Sequence, residues 1–292
     1  MMAEHEAEWM QAAKQGPLVS DPMSALCLKA EYAGNANENF LLGIESLAKR
    51  YDAMRRVRGD GNCFFRAFIF ALCEQLLSPD DSPSSASSSQ TARLRARIEE
   101  TIRASKAELI AVGYSEIAID AFWETFVDYL AAMETRSHAE LYPLFTFRLT
   151  DFQTEGGESE YLVWYARLLT AGHLKKHAET FQPFIEGLFP GLTVEQFCAA
   201  EVEPMGKECD QPQIAALTEA LNIGVKIEYL DGSAKELQTY ECSPSASSSS
   251  SPRSTAQEPV TLYLLYRPGH YDILYPRAAA PSTTSAAAVQ EQ

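Results

Sequence analysis

The hydrophobic and polar positions of this chain follow two rhythms, helical over the first two thirds and strand-like towards the end. Apolar residues recur every three or four positions over 26–32 and 40–51, which predicts two short amphipathic helices. A short strand is expected over 54–58. From Cys63 the chain runs Cys-Phe-Phe-Arg-Ala-Phe-Ile-Phe-Ala-Leu. Phe64, Ala67, Phe68, Ala71 and Leu72 fall at helical spacing, while Phe65, Ile69 and Leu76 extend the apolar surface round the back. A helix that is apolar on most sides is a buried one, so this stretch predicts a central core helix.

Helical spacing returns over 92–132, with Trp123, Phe126, Val127 and Leu130 on one face. The stretch 142–149 is too short and aromatic to assign, and Gly156-Gly157 break the chain. Further helices are expected over 161–170, 174–188, 194–201 and 213–221. This helical middle reads either as scaffold or as a docking surface. The period then changes to two: Val225, Ile227 and Tyr229 alternate with Lys226 and Glu228 before an Asp231-Gly232 turn. A strand over 260–266, a turn at Arg267-Pro268-Gly269 and a partner strand over 270–275 predict a hairpin. Helices gathered early and strands gathered late point to an α+β domain.

That domain is expected over 17–277, with two Ser-rich insertions at 78–90 and 243–257 whose composition cannot build a core. Residues 278–292 read as a disordered Ala/Ser/Thr tail. Residues 1–16 read as an N-terminal arm with a weak amphipathic helix, either a frayed terminus or a partner-binding segment anchored by Trp9.

Composition narrows the partners. The 292 residues carry 40 Asp and Glu against 24 Lys and Arg, a net charge of -16, and no basic stripe interrupts the excess. A nucleic-acid backbone would be repelled. No run reads as a signal peptide or a bilayer span, so a soluble cytoplasmic protein is expected, with the nucleus also open. Six scattered cysteines without a C-x-x-C pair imply reduced thiols. His173 and His177 stand four apart, but two lysines lie between them and no zincin Glu is present, so solvated helix surface is the better reading. No metal or other cofactor is expected, and a monomer is the expected state.

The candidate chemistry begins at the turn before the core helix. Arg58-Gly59-Asp60-Gly61-Asn62 brackets an acid with glycines and an Asn, a composition for unusual backbone angles. Cys63 follows in the first helical turn, where unpaired amides and the macrodipole favour a thiolate and an adjacent oxyanion. From position alone Cys63 reads equally as a nucleophile or as a buried core thiol. A base can be sought among five histidines: His5, His138, His173, His177 and His270. His5 lies in the arm. His138, His177 and His270 each have an acid two residues on, at Glu140, Glu179 and Asp272. On a helix such a pair diverges; on a strand it shares a face. His270 and Asp272 therefore stand side by side, the acid able to orient the imidazole towards a nucleophile. Cys63, His270 and Asp272 together make a Cys–His–Asp hydrolase.

Those residues also carry a resemblance. Asp60-Gly61-Asn62-Cys63-Phe64-Phe65-Arg66 resembles the D-G-N-C-F-[YF]-R signature of the ovarian-tumour (OTU) cysteine proteases, and Gly269-His270-Tyr271-Asp272 resembles their closing G-H-Y-D. Gly16-Pro17-Leu18-Val19-Ser20, Phe184-Ile185-Glu186-Gly187 and Glu201-Val202-Glu203-Pro204-Met205 are similar to segments of the otubain branch. The likeness covers roughly 17–275, interrupted by the two insertions. It implies a papain-like OTU fold, with a small, mostly antiparallel sheet packed between the helix carrying Cys63 and a larger helical subdomain. It implies a deubiquitinase that hydrolyses isopeptide bonds of polyubiquitin, with chains joined through lysine 48 of ubiquitin expected. Cys63 would be nucleophile, His270 base then acid, and Asp272 its orienting group. Asp60 would hold the loop through backbone hydrogen bonds, and the amides around Asp60 to Cys63, those of Gly61 and Asn62 among them, would line the oxyanion hole. The alternative is a stoichiometric binder that blocks ubiquitin-conjugating enzymes. Two departures are visible: Gly59 replaces a usual Pro, and Phe65 a common Tyr.

Overall fold

The computed structural model describes residues 17–77, 86–135, 157–244 and 260–277. The expected core helix, α2 (Cys63–Leu76), is buried at every position except Glu74 and Gln75. Four phenylalanines, at 64, 65, 68 and 70, are with Arg66 among the largest fully buried side chains of the described residues. One side of α2 rests on strands β4 (Thr261–Arg267) and β5 (His270–Pro276). The other side meets α3 (Ala86–Ala111) and α5 (Glu158–Lys176). α5 in turn packs on α4 (Glu116–Thr135) and on α8 (Gln211–Leu221).

The α+β class and the mostly antiparallel sheet are as expected. The layering differs in one respect: the helix that carries Cys63 lies between the sheet and the larger helical subdomain. The opposite face of the sheet is covered by α1 (Asn39–Arg50) and a 3-10 turn (Ala25–Ala30). There Leu28, Ile44 and Leu47 pack on Met54, Leu265 and Leu274. α6 (Ala178–Leu188), a short α7 (Val194–Phe197) and a π turn (Cys198–Val202) form a smaller apolar cluster against α5 and α8.

The five strands run in the order β1 (Tyr51–Arg55), β5, β4, β2 (Gly224–Tyr229), β3 (Gln238–Cys242). β2 pairs parallel with β4, and every other pairing is antiparallel. The predicted hairpin is present, with Arg267 opposite His270, Leu265 opposite Asp272, and Gly269 in the turn at φ +72°. Only glycine adopts that angle without strain.

Several boundaries depart from the sequence pattern. β1 (Tyr51–Arg55) starts directly where α1 ends, three residues before the expected 54–58, and Val57 makes only an isolated bridge to Val19. The expected helix over 92–132 is two helices, because Gly113 takes φ +102° and reverses the chain between α3 and α4. α3 starts at Ala86, so residues 86–90 of the presumed insertion are helical. α5 continues through 171–173, and the break falls at His177. β3 (Gln238–Cys242) was not foreseen. It is an edge strand with mostly exposed polar positions, and such strands show no apolar alternation. The arm 1–16, the stretch 142–149, His138, nearly all of 243–257 and the tail 278–292 lie outside the described residues. Among the described residues no helix is long and apolar enough to cross a membrane.

Candidate active site

The loop before α2 is fixed by charge and by close backbone contact. The Asp60 carboxylate receives Arg66 through both oxygens, at 2.8 and 2.7 Å, and accepts the Asn62 N–H at 3.0 Å. Burial opposes the charged acid, but the Arg66 hydrogen bonds and charge outweigh it and hold the Asp60 carboxyl below its usual range. Gly61 sits at φ +79°, where a Cβ would stand 2.1 Å from the Gly206 carbonyl oxygen. The buried Asn62 side chain accepts from the Gly206 N–H at 2.8 Å and from Arg167 at 2.8 and 3.2 Å. Arg167 also donates to the Gly61 carbonyl at 2.9 Å.

This bonding corrects one expectation. The Asn62 amide donates to Asp60, so it cannot serve an oxyanion. The Cys63 amide stands at the first helical position, where an N–H has no intrahelical acceptor.

His270 opens β5 and is buried, as is Asp272 on the same face of the strand. The ring Nε2 lies 2.8 Å from Asp272 Oδ1. With Nε2 engaged by the carboxylate, Nδ1 is the second ring nitrogen, and Cys63 is among the groups that favour the charged imidazole. Burial lowers the pKa of His270, yet the charge and hydrogen bond of Asp272, aided by Cys63, raise it to about 9. The imidazole therefore stays protonated at neutral pH.

Asp272 is itself held ionised. Burial works against it, but Arg267 donates to Oδ2 at 3.1 and 2.7 Å and the Val57 N–H donates to Oδ1 at 3.0 Å, and these with His270 keep its carboxyl well below the usual range. Arg267 is buried and reaches further, donating to Glu31 at 2.7 Å beyond the end of the 3-10 turn. On the other face of β5, Tyr271 packs edge-on against Phe64 with ring centroids 5.3 Å apart, and its hydroxyl meets the Cys209 carbonyl at 3.4 Å. The strand that carries His270 is thus pressed against the helix that carries Cys63.

The structure brings Cys63, His270, Asp272, Asp60, Gly61 and Asn62 into one locality, although roughly two hundred residues of sequence separate its halves. The remaining described histidines are elsewhere: His173 bonds Glu219 at 3.0 Å on the far part of α5 and stacks on His177. Among the described residues no group of three or more His, Cys, Asp or Glu could hold a metal ion. Sequence reasoning missed Arg167 and Arg267. The available signal was an arginine set in an apolar run of α5 and another ending an apolar strand. The ring of Phe65, which lacks the usual tyrosine hydroxyl, lies under the Arg167 guanidinium at 4.4 Å.

The Peptidase C65 Otubain family model matches residues 11–276. Human "Ubiquitin thioesterase OTUB1" is 38% identical over 276 residues, covering 94% of this chain and 89% of that protein. The Arabidopsis thaliana "OVARIAN TUMOR DOMAIN-containing deubiquitinating enzyme 1" is 32% identical, covering 91% and 83%. Among solved structures, "The structure of h/ceOTUB1-ubiquitin aldehyde-UBC13~Ub" matches with a TM-score of 0.73 at 30% identity, covering 95% of this chain and 97% of that one. A companion complex with UBCH5B~Ub matches at 0.72.

Proposed function

The chain belongs to the otubain family of cysteine peptidases, and on that premise we propose the residues through which it works. It is a cysteine-type deubiquitinase that hydrolyses the isopeptide bond between the C-terminal glycine of ubiquitin and a lysine amine. The observation that carries the assignment of residues is the buried His270–Asp272 pair set against a thiol at a helix N-terminus.

In the proposed mechanism the Cys63 thiolate attacks the carbonyl carbon, and negative charge develops on its oxygen beside the Cys63 and Gly61 amides. The protonated His270 then gives its proton to the departing lysine amine, the C–N bond breaks, and a thioester remains on Cys63. Neutral His270 takes a proton from the water that attacks the thioester, which restores the protonated ring; collapse then breaks the C–S bond, expels the Cys63 thiolate and releases the ubiquitin carboxylate, whose remaining proton goes to solvent. Asp272, fixed by Arg267, keeps Nε2 engaged so that Nδ1 faces the sulfur. Asp60 holds the loop rather than moving protons, its oxygens being taken by Arg66 and the Asn62 amide. Chains joined through lysine 48 of ubiquitin are the proposed substrate, and six free cysteines suit a reducing compartment such as the cytoplasm or nucleus.

Cys63→Ala is expected to abolish cleavage of diubiquitin while leaving the circular dichroism spectrum and the thermal midpoint close to wild type. Ubiquitin carrying an electrophilic C-terminus should label Cys63 and no other cysteine. Turnover by a folded Cys63→Ala protein would refute the assignment. The similarity to OTUB1 complexed with ubiquitin-loaded conjugating enzymes favours a second, compatible activity, binding of such an enzyme without cleavage. That binding should survive in Cys63→Ala and be read by calorimetry with a stable conjugating-enzyme–ubiquitin conjugate.

A further inference from the structure

Arg167 is fully buried in the middle of α5, and what surrounds it is unusual for a buried cation. Its guanidinium donates to the Gly61 carbonyl at 2.9 Å, the Val202 carbonyl at 2.9 Å and the Lys207 carbonyl at 2.6 Å. It also donates to the Asn62 side-chain oxygen at 2.8 and 3.2 Å. Every one of these acceptors is an uncharged carbonyl oxygen, and among the described residues no carboxylate forms an ion pair with it. Buried charges are ordinarily paired. Burial pushes the arginine down to about 10, so it is still cationic at neutral pH, and its charge is favoured first by Cys209, then by Cys63 and Asp60.

The geometry around the loop gives this arrangement a purpose. The Gly61–Asn62 peptide is pinned at both ends, its carbonyl by Arg167 and its N–H by Asp60. The Asn62 side chain is pinned by Arg167 and the Gly206 amide. With that one peptide plane fixed, the amides on either side of it, those of Gly61 and Cys63, have a set direction. Resting on the deubiquitinase reading, we propose that Arg167 is a positioning residue for catalysis: its fork orients the oxyanion loop, and its charge stabilises the negative sulfur and oxyanion. It acts through the loop and touches no reacting atom.

The two roles separate in two variants. Arg167→Lys keeps the charge but cannot hold three carbonyls and the Asn62 oxygen at once; Arg167→Met keeps neither. Each variant is titrated with a ubiquitin electrophile to count competent molecules, so that misfolding does not enter the rate. The kcat for diubiquitin should fall by about a hundredfold in both, the scale of losing an oxyanion donor, with KM within about twofold of wild type. Alkylation of Cys63 by iodoacetamide at pH 7 should be slowed severalfold in Arg167→Met and near wild type in Arg167→Lys. A kcat within twofold of wild type in titrated Arg167→Lys, or a loss lying wholly in KM, would overturn the positioning role. Alkylation of Arg167→Met at the wild-type rate would overturn the electrostatic one. If the wild-type protein itself fails to cleave diubiquitin, the deubiquitinase reading falls, and the alkylation comparison alone still decides whether Arg167 supports the thiolate.

Discussion

At the scale of single residues, the site is a relay of charges whose order decides its pH response. Asp272 holds His270 protonated to about pH 9, so in the proposed mechanism the ring is the acid for the leaving amine across the neutral range. Cleavage should therefore decline as pH rises through about 9, when the ring loses that proton. Asp272→Asn removes the largest influence raising the ring. The alkaline limb of kcat/KM should move down towards the ordinary imidazole value near 6.5, with kcat reduced on the order of 10²–10⁴-fold. An unmoved alkaline limb in that variant would exclude His270 as the titrating group. Cys63, His270 and Asp272 could be singled out from sequence because each sits at a position with a periodic meaning: the first turn of a helix, and alternate places on a strand. Arg167 and Arg267 could not. A linear pattern scores arginine as outward-facing, and nothing local records that acceptors distant in sequence converge on it.

At the scale of elements, Arg267 joins three pieces: the end of β4, Asp272 on β5, and Glu31 just past the 3-10 turn. Glu31 in turn receives Arg56 beyond β1. Replacing Arg267 by Met would take the main cation from the buried Asp272 and one of two arginines from Glu31. The expected cost is about 3 kcal/mol, read as a lower denaturant midpoint at neutral pH, together with weaker holding of His270. A wild-type midpoint in Arg267→Met would show that the bridge is not what ties the turn to the sheet. The elements themselves were legible in proportion to their burial. The Cys63 helix and the β4–β5 hairpin have strong apolar patterns and appear where expected. The α3–α4 junction was lost because a single left-handed glycine stops a helix without interrupting its apolar spacing. β3 was lost because its register is set by pairing with β2, not by a hydrophobic face.

At the scale of the whole molecule, the same pair links stability to pH. The pKa of His270 is raised, so its contribution is complete below about 6.5 and is lost as pH climbs through about 9. Asp272 is depressed, so its contribution is complete above the usual value of 3.8 and is lost as pH falls through its lowered range. The excess thermal midpoint of wild type over Asp272→Asn should peak between those limits and narrow from about pH 6.5 to about pH 9. A difference that grows steadily with pH would contradict the assignment. The sheet order has a consequence for synthesis as well. β5 is among the last segments of the described chain to be made, yet β1, one of the first, pairs in the sheet only with it. A nascent chain on the ribosome therefore carries Cys63 long before His270, and the first strand waits for its sheet neighbour until the β4–β5 hairpin emerges. The peptidase is assembled only once that hairpin is out, so fragments released earlier hold a thiol without a partner to arm it.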